Sequence, residues 1–145
     1  MTTEPRFKEN SQAVQSHLTI LQAVIQRMAN NSSSSKAWCI TLVSAILVIV
    51  ADKGKPQYAW IAVIPTLLFF VLDAYYLSLE KGFRNAYNSF INKLHSEVLS
   101  AADLFVVVPQ GGMFGLFARS IFSFSVWPFY ATLLGMIYAA KAFVI

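Results

Sequence analysis

The chain has 145 residues, of which 57% are hydrophobic and 12% are charged. Soluble domains carry about 25% charged residues, so this composition is typical of a membrane protein, as is the mean hydropathy of +0.56. The basic residues behind the net charge of +4 are scattered and form no patch interleaved with aromatic residues, which argues against nucleic-acid binding. The single cysteine, Cys39, excludes an intrachain disulfide and a multi-cysteine metal site.

Residues 1–36 are predicted to form an N-terminal cytoplasmic region, in which a loose polar tail over residues 1–10 leads into an amphipathic helix. Residues 1–16 lack the apolar core and the cleavage site of a signal peptide. From Ser11 to Asn30, apolar residues recur at spacings of three and four. This stripe is predicted to pack on the membrane surface, on the protein itself or on further copies of the chain, and it comprises Val14, Leu18, Leu21, Ile25 and Met28. The run from Asn30 to Ser35 favours a turn with a helix N-cap, or a Ser-rich linker.

Residues 37–145 are predicted to form a transmembrane domain with spans at about 37–51, 58–79 and 120–145. The first apolar run is short of the ~20 residues that cross a bilayer, so Lys36 and the serines before it are placed at the interface, with Trp38 as an aromatic anchor. Pro65 is expected to kink the second span.

An amphipathic helix at about 80–101 either continues the second span into water or lies along the membrane. The stretch 103–117, which Pro109 and two glycines interrupt, is too short and broken to span, and it favours an interfacial, re-entrant or buried segment. The predicted fold is therefore an all-α membrane protein with about three transmembrane helices and two amphipathic cytoplasmic or interfacial helices.

The distribution of basic residues predicts the orientation. Arg6, Lys8, Arg27 and Lys36 precede the first span, and Lys81, Arg84, Lys93 and Arg119 separate the second from the third. Only Lys53, Lys55 and Lys141 fall on the other side. Eight against three favours a multi-pass topology with the N-terminus and the central amphipathic segment in the cytoplasm, because cytoplasmic loops carry the excess of Lys and Arg.

Asp73 lies inside the second apolar run, where a carboxylate costs roughly 2.5–3.5 kcal/mol at the helix centre and requires a partner or water. On a helix it shares a face with residues spaced three and four apart, namely Tyr76, Glu80, Arg84 and Tyr87. Glu80 and Arg84 are expected to form an i,i+4 ion pair, and Tyr76 or another subunit is expected to donate a hydrogen bond to Asp73. This face is interpreted as a helix-locking or assembly surface, as the lining of a pore, or as a relay.

No enzymatic pattern emerges, and the chain is predicted to be neither an enzyme nor a protein that binds a cofactor or a metal. His17 and His95 are each predicted to lie on the polar face of an amphipathic helix, with no ligand-type residue at metal-binding spacing. The glycine-rich stretch at 111–115 lacks a following Lys-Ser or Lys-Thr, so it favours a flexible turn over a phosphate site.

Three segments carry a resemblance over roughly residues 14–95: RMANNS (27–32), KAWCITLV (36–43) and LDAYYLSLE (72–80). They resemble a family of small, poorly characterised bacterial inner-membrane proteins. Proteins of this kind are often membrane-disrupting effectors of anti-phage systems, and the resemblance implies such a role by analogy.

Two functions are expected from these observations. The first is a homo-oligomeric pore-forming or membrane-perturbing effector, with a role in phage defence. The alternative is a non-conducting membrane scaffold or adaptor that recruits a cytoplasmic protein, or a small transporter subunit. The expected partners are the lipid bilayer, further copies of the chain and a cytoplasmic protein.

Overall fold

The computed structural model describes residues 7–143, and over that range every regular element is helical, which confirms the predicted all-α fold. Residues 1–6 of the predicted tail and the last two residues of the predicted third span lie outside the described range. The elements, in order, are α1 (Gln12–Asp52), a 3₁₀ segment (Pro56–Ala62), α2 (Val63–His95), a 3₁₀ turn (Ala101–Asp103), α3 (Met113–Ile121) and α4 (Trp127–Phe143).

The first helix, α1, is one continuous helix of 41 residues, so the predicted turn at Asn30–Ser35 is wrong. Ser32 and Ser35 are buried, and the Ser35 hydroxyl donates a hydrogen bond to the Asn31 carbonyl one helical turn back, at 2.9 Å. This bond satisfies the serine without ending the helix. The predicted amphipathic helix of residues 1–36 and the predicted first span are therefore parts of a single element.

The second helix, α2, also joins two predicted elements. It runs without a break from Val63 to His95, so the polar helix predicted at 80–101 continues the second apolar run and ends earlier than expected. The start of the predicted span forms the 3₁₀ segment instead of α-helix. Pro65 consequently falls in the first turn of α2, where its missing N–H removes no helical hydrogen bond and gives no reason for a kink.

The predicted third span, 120–145, is interrupted. Helix α3 ends at Ile121, residues 122–126 form a turn, and α4 begins at Trp127 with Pro128 in its first turn. Proline is favoured there because its N–H is not needed for a helical bond. Within the predicted interfacial stretch 103–117, an irregular segment leads from the 3₁₀ turn to α3.

The buried side chains form three clusters along the antiparallel pair of α1 and α2. The cluster that we call the bundle core joins both helices to the 3₁₀ segment and α4, and it contains Cys39, Val43, Val50, Ala59, Ala62, Ala74, Val126, Tyr130, Leu133 and Ile137. The two that we call the stalk cores follow at the other end of the pair, and they contain Leu21, Met28, Phe83 and Ala86, and then Val14, Phe90, Leu94 and Leu99. We call residues 12–31 of α1 and 80–95 of α2 the stalk.

Helix α4 packs antiparallel to α2. Near its start, the Tyr130 hydroxyl donates a hydrogen bond to the Phe69 carbonyl at 3.0 Å. Near its end, the Lys141 ammonium lies 4.8 Å from the centre of the Trp60 ring in the 3₁₀ segment. Helix α4 thus reaches from the level of Phe69 to the connection between α1 and α2.

Two helical stretches are long and apolar enough to cross a membrane: Gln12–Asp52 and Pro56–His95. Less than a third of each apolar stretch is buried inside the protein, 22% of the first and 28% of the second. A water-soluble protein buries the apolar face of a core helix, so this exposure favours lipid contact. The chain therefore has the features of a membrane-associated protein.

Candidate functional site

Asp73 lies between the bundle core and the stalk cores, and its side chain is fully buried. It points from α2 toward α1, where two side chains one turn apart meet it. The Ser32 hydroxyl donates a hydrogen bond to Oδ1, and the Lys36 ammonium lies 2.6 Å from Oδ2. The Lys36 ammonium also donates to the Ser32 hydroxyl at 3.3 Å. The three side chains form one hydrogen-bonded group, which we call the Asp73 cluster.

The charges in this cluster are largely removed from water, since the Lys36 side chain is only 21% exposed. Removing both charges from solvent is costly, and their attraction offsets that cost only when geometry and hydrogen bonding are good. Here Oδ1 accepts the hydrogen bond from Ser32, and Oδ2 is in ion-pair contact with the Lys36 ammonium. The cluster therefore fixes the register of α1 against α2, because a shift of one residue along either helix would separate these charges.

Sequence reasoning identified Asp73 but missed its partners. It expected a donor from Tyr76 or another subunit, whereas the structure supplies Ser32 and Lys36 from α1. Tyr76 instead packs against the stalk core around Leu21 and Phe83. The missed signal was the buried seam of α1, which continues at helical spacing from Met28 through the serines to Cys39 once the predicted turn is disregarded.

The other residues of the predicted face lie in the stalk. The expected Glu80–Arg84 pair is confirmed, with Nε donating to Oε1 at 2.8 Å. Beyond it lies an open groove of about 550 Å³ between α1 and α2, lined by Gln22, Ile25, Gln26, Arg84, Tyr87 and Asn88. The Gln22 side-chain amide faces the Tyr87 hydroxyl at 3.4 Å across this groove. The predicted face thus divides into a buried carboxylate and an accessible polar groove.

The predicted apolar stripe lies mainly inside the helix pair. Val14, Leu21 and Met28 are buried in the stalk cores, while Leu18 and Ile25 are partly buried against them. This agrees with the interpretation that the stripe packs on the protein itself. Its role in joining separate copies of the chain stays a prediction.

His17 lies in the buried seam of α1 at 2% exposure, so its predicted place on a polar face is wrong. Its Nδ1 accepts a hydrogen bond from the Phe105 amide at 2.9 Å, and its ring packs on Phe90 at 4.2 Å between centres. Burial lowers the pKa of His17, and the charge of Asp103 partly opposes that shift. His17 therefore holds the segment after the second 3₁₀ turn as a neutral acceptor, with Phe105 at a positive φ of 62°.

His95 is exposed, as predicted, and its Nε2 lies 3.4 Å from a Glu9 carboxylate oxygen. Near the same end of the stalk, Lys93 pairs with Asp103 at 2.7 Å. Hydrogen bonds from Lys93 and Ser100 lower the pKa of Asp103 to about 2. Within residues 7–143, no group of three or more His, Cys, Asp or Glu side chains is arranged to hold a metal ion.

Comparison of the chain with protein-family models, with curated proteins and with solved structures gave no match. The Asp73 cluster, the groove and the distribution of apolar surface are the features that bear on function.

Proposed function

We propose that the chain is a non-conducting membrane scaffold: a three-span bundle that anchors a rigid two-helix stalk, whose groove recruits a cytoplasmic protein. The observation that carries this proposal is that α1 and α2 both continue beyond their apolar halves as one packed pair. Residues 12–31 extend roughly 30 Å at 1.5 Å per residue, so the stalk reaches well beyond a lipid headgroup layer.

The dimensions of the bundle support three spans. The 3₁₀ segment and α2 as far as Asp73 together rise roughly 30 Å, the thickness of the hydrocarbon layer. Helix α4, with 17 residues, rises about 25 Å alongside them. In the proposed arrangement Asp73 lies near one membrane boundary, and the connection between α1 and α2, where Trp60 and Lys141 meet, lies near the other. Aromatic and basic side chains are common at such interfaces.

The positive-inside rule supports a cytoplasmic stalk in a bacterial inner membrane. In the three-span arrangement the eight basic residues of the N-terminal region and of the segment between the second and third spans lie on the stalk side, and three lie on the other.

Burial of Asp73 favours a scaffold over a pore. Its carboxylate is fully buried and paired with Lys36, so it serves as an internal contact between helices. The groove, by contrast, presents Arg84, Asn88 and Gln26 at the surface of a rigid pair. Convergent polar groups on rigid elements are typical of binding surfaces.

Two measurements test the proposal. Purified protein in planar bilayers is expected to give no stepwise current at any protein-to-lipid ratio. A photoreactive amino acid at Asn88, in the groove, is expected to give one discrete adduct in living cells, while the same group at Leu68, on the apolar face of α2, gives none. Currents that change in Asp73→Asn protein would overturn the proposal in favour of a pore-forming effector. Identical adducts at both positions would remove the groove as a docking site.

A further inference from the structure

The turn between α3 and α4 exposes aromatic side chains beside the bundle. Phe122 is 80% exposed and Phe124 is 85% exposed, although Val126 in the same turn is fully buried in the bundle core. Phe117 and Ile121 on the preceding helix pack against that core as well. Val126 thus anchors the turn in the bundle core, while the rings of Phe122 and Phe124 face away from the protein. Trp127, which follows this turn at the start of α4, is exposed as well.

Two cations lie on the neighbouring helices: one on α3, which leads into this turn, and one on α2, which packs against α3. Arg119 is exposed on α3, one helical turn before the phenylalanines, and Lys81 is partly buried on α2. The segment before α3 is fixed to α2 beside Lys81, since the Gln110 amide donates to the Gly82 carbonyl at 2.9 Å.

The charges around Lys81 leave a positive excess. Burial and the charge of Arg119 lower the pKa of Lys81, while Glu80 opposes that shift. The Glu80 carboxylate is itself bonded to Arg84. Lys81 therefore shares the neighbouring Glu80 carboxylate with Arg84 and is also repelled by Arg119, and an anion placed between Lys81 and Arg119 would relieve that repulsion.

We propose that Lys81 and Arg119 bind the headgroup phosphate of an anionic phospholipid in the leaflet on the stalk side, with Phe122 and Phe124 inserted among its acyl chains. This inference rests on the proposed membrane anchoring. The choice of occupant follows from two observations: the positive excess matches an anionic phosphate, and the exposed rings belong to a turn that packs on the core of the proposed membrane bundle. Aromatic rings at the boundary with basic residues beside them are the common interfacial arrangement.

Native mass spectrometry with phosphatidylglycerol and phosphatidylcholine tests the headgroup contacts. Each cation near an anionic lipid surface contributes about fivefold, so the Lys81→Gln, Arg119→Gln double variant is expected to bind phosphatidylglycerol about 25-fold more weakly than the unchanged protein. Arg84→Gln is the matched control, and it should retain the preference. Equal binding of the two lipids by the unchanged protein, or an unaltered preference in the double variant, would overturn the inference.

A depth measurement separates failure of this inference from failure of membrane anchoring. In a Cys39→Ser background, a fluorophore is attached to Phe122→Cys, Leu68→Cys or Asn88→Cys in liposomes. Lipid-borne nitroxide is expected to quench the first two and not the third. Quenching at position 68 but not at 122 would overturn the lipid contact alone, whereas no quenching at either would overturn the anchoring as well.

Discussion

Asp73 and Lys36 carry opposite charges in a place where water reaches neither freely, so each depends on the other. The pair's net contribution to the free energy of folding is smaller than its electrostatic attraction, because both groups lost their hydration when the helices packed. The cost of separating them is large, since one charge would remain buried without a partner. Removing one partner should therefore change stability much more than removing both, and this difference can be measured.

Asp73→Asn is expected to destabilise the protein by about 3 kcal/mol, because Lys36 is left without its counter-charge. Replacing both residues, as Asp73→Asn with Lys36→Met, should recover part of this loss. Thermal unfolding in detergent measures the stability of these variants. The control is Glu80→Gln, which breaks the more exposed Glu80–Arg84 pair and should lower stability by less than about 1 kcal/mol. Strictly additive effects of the two single changes would contradict the pairing.

His17 is expected to make the segment around Phe105 sensitive to acid. Burial lowers the pKa of His17 in the folded state below its ordinary value of 6.5, so the neutral form favours folding. The stability it contributes is complete above pH 6.5 and is lost as the pH falls through the lower, folded-state pKa. The groups facing it are Asp103, which holds its own charge down to about pH 2, and Lys93, paired with Asp103.

Hydrogen exchange at pH 7.5 and pH 5 measures this effect. The amides around Phe105 should have a lower protection factor, relative to the intrinsic exchange rate at each pH, at pH 5 than at pH 7.5, because a protonated Nδ1 no longer accepts the Phe105 amide hydrogen bond. His17→Gln should remove most of the pH dependence, and the change of exposed His95 to glutamine should leave it intact. Equal protection at both pH values in the unchanged protein would refute the assignment.

At the scale of the element, helix type was predictable and helix continuity was not. Amphipathic and apolar periodicity identified both halves of α1 and of α2. The run Asn30–Ser35 has a local preference for caps and turns, but Ser32 and Ser35 face α2, and the Asp73 cluster stabilises the helical form. Tertiary contacts thus outweighed local preference. The partners of Asp73 could not be predicted while the two halves of α1 were treated as separate elements.

Close packing between α2 and the segment before α3 gives a test at this scale. A Cβ on Gly82 would lie 2.8 Å from the Pro109 Cβ, whereas a Cβ on Gly135 of α4 meets nothing within 4 Å. Gly82→Ala is therefore expected to destabilise the protein by about 1–3 kcal/mol through overpacking, and Gly135→Ala to stabilise its helix by up to about 1 kcal/mol. Thermal unfolding of the two variants side by side measures both. A rise in stability for Gly82→Ala would contradict close packing here, because it would mean that the segment containing Pro109 moves away from α2 at no cost.

At the scale of the whole molecule, the described residues show an all-α fold with two helical stretches long and apolar enough to cross a membrane. Self-assembly, pore formation and a role in phage defence stay predictions. Self-assembly and pore formation were inferred from a carboxylate and an apolar stripe that had no evident partner in the sequence, and the described residues give each of them a contact within one chain. The role in phage defence was implied by the resemblance alone. Composition predicts the class of protein. Which side chains of α1 and α2 contact each other depends on how the two helices align, and composition does not give that alignment.

The stalk is expected to be stabilised from within one chain. Leu21→Ser removes a buried side chain from the contact of α1 with α2 and should cost about 2–5 kcal/mol. Ile20→Ser is the control: Ile20 immediately precedes Leu21 but is exposed, so this change should lower stability much less. Unfolding at several protein concentrations measures both changes. If Leu21→Ser instead left stability unchanged and reduced only the particle mass, the stripe would be an interface between copies.

The central claim is that one bundle crosses the membrane and holds the stalk on a single side. In a Cys39→Ser background, single cysteines at Gln22 in the stalk and at Lys53 in the connection between α1 and α2 are treated with a membrane-impermeant maleimide on spheroplasts. We expect labelling at position 53 without permeabilisation, and at position 22 only after it. Labelling of both positions from the same side would contradict the account.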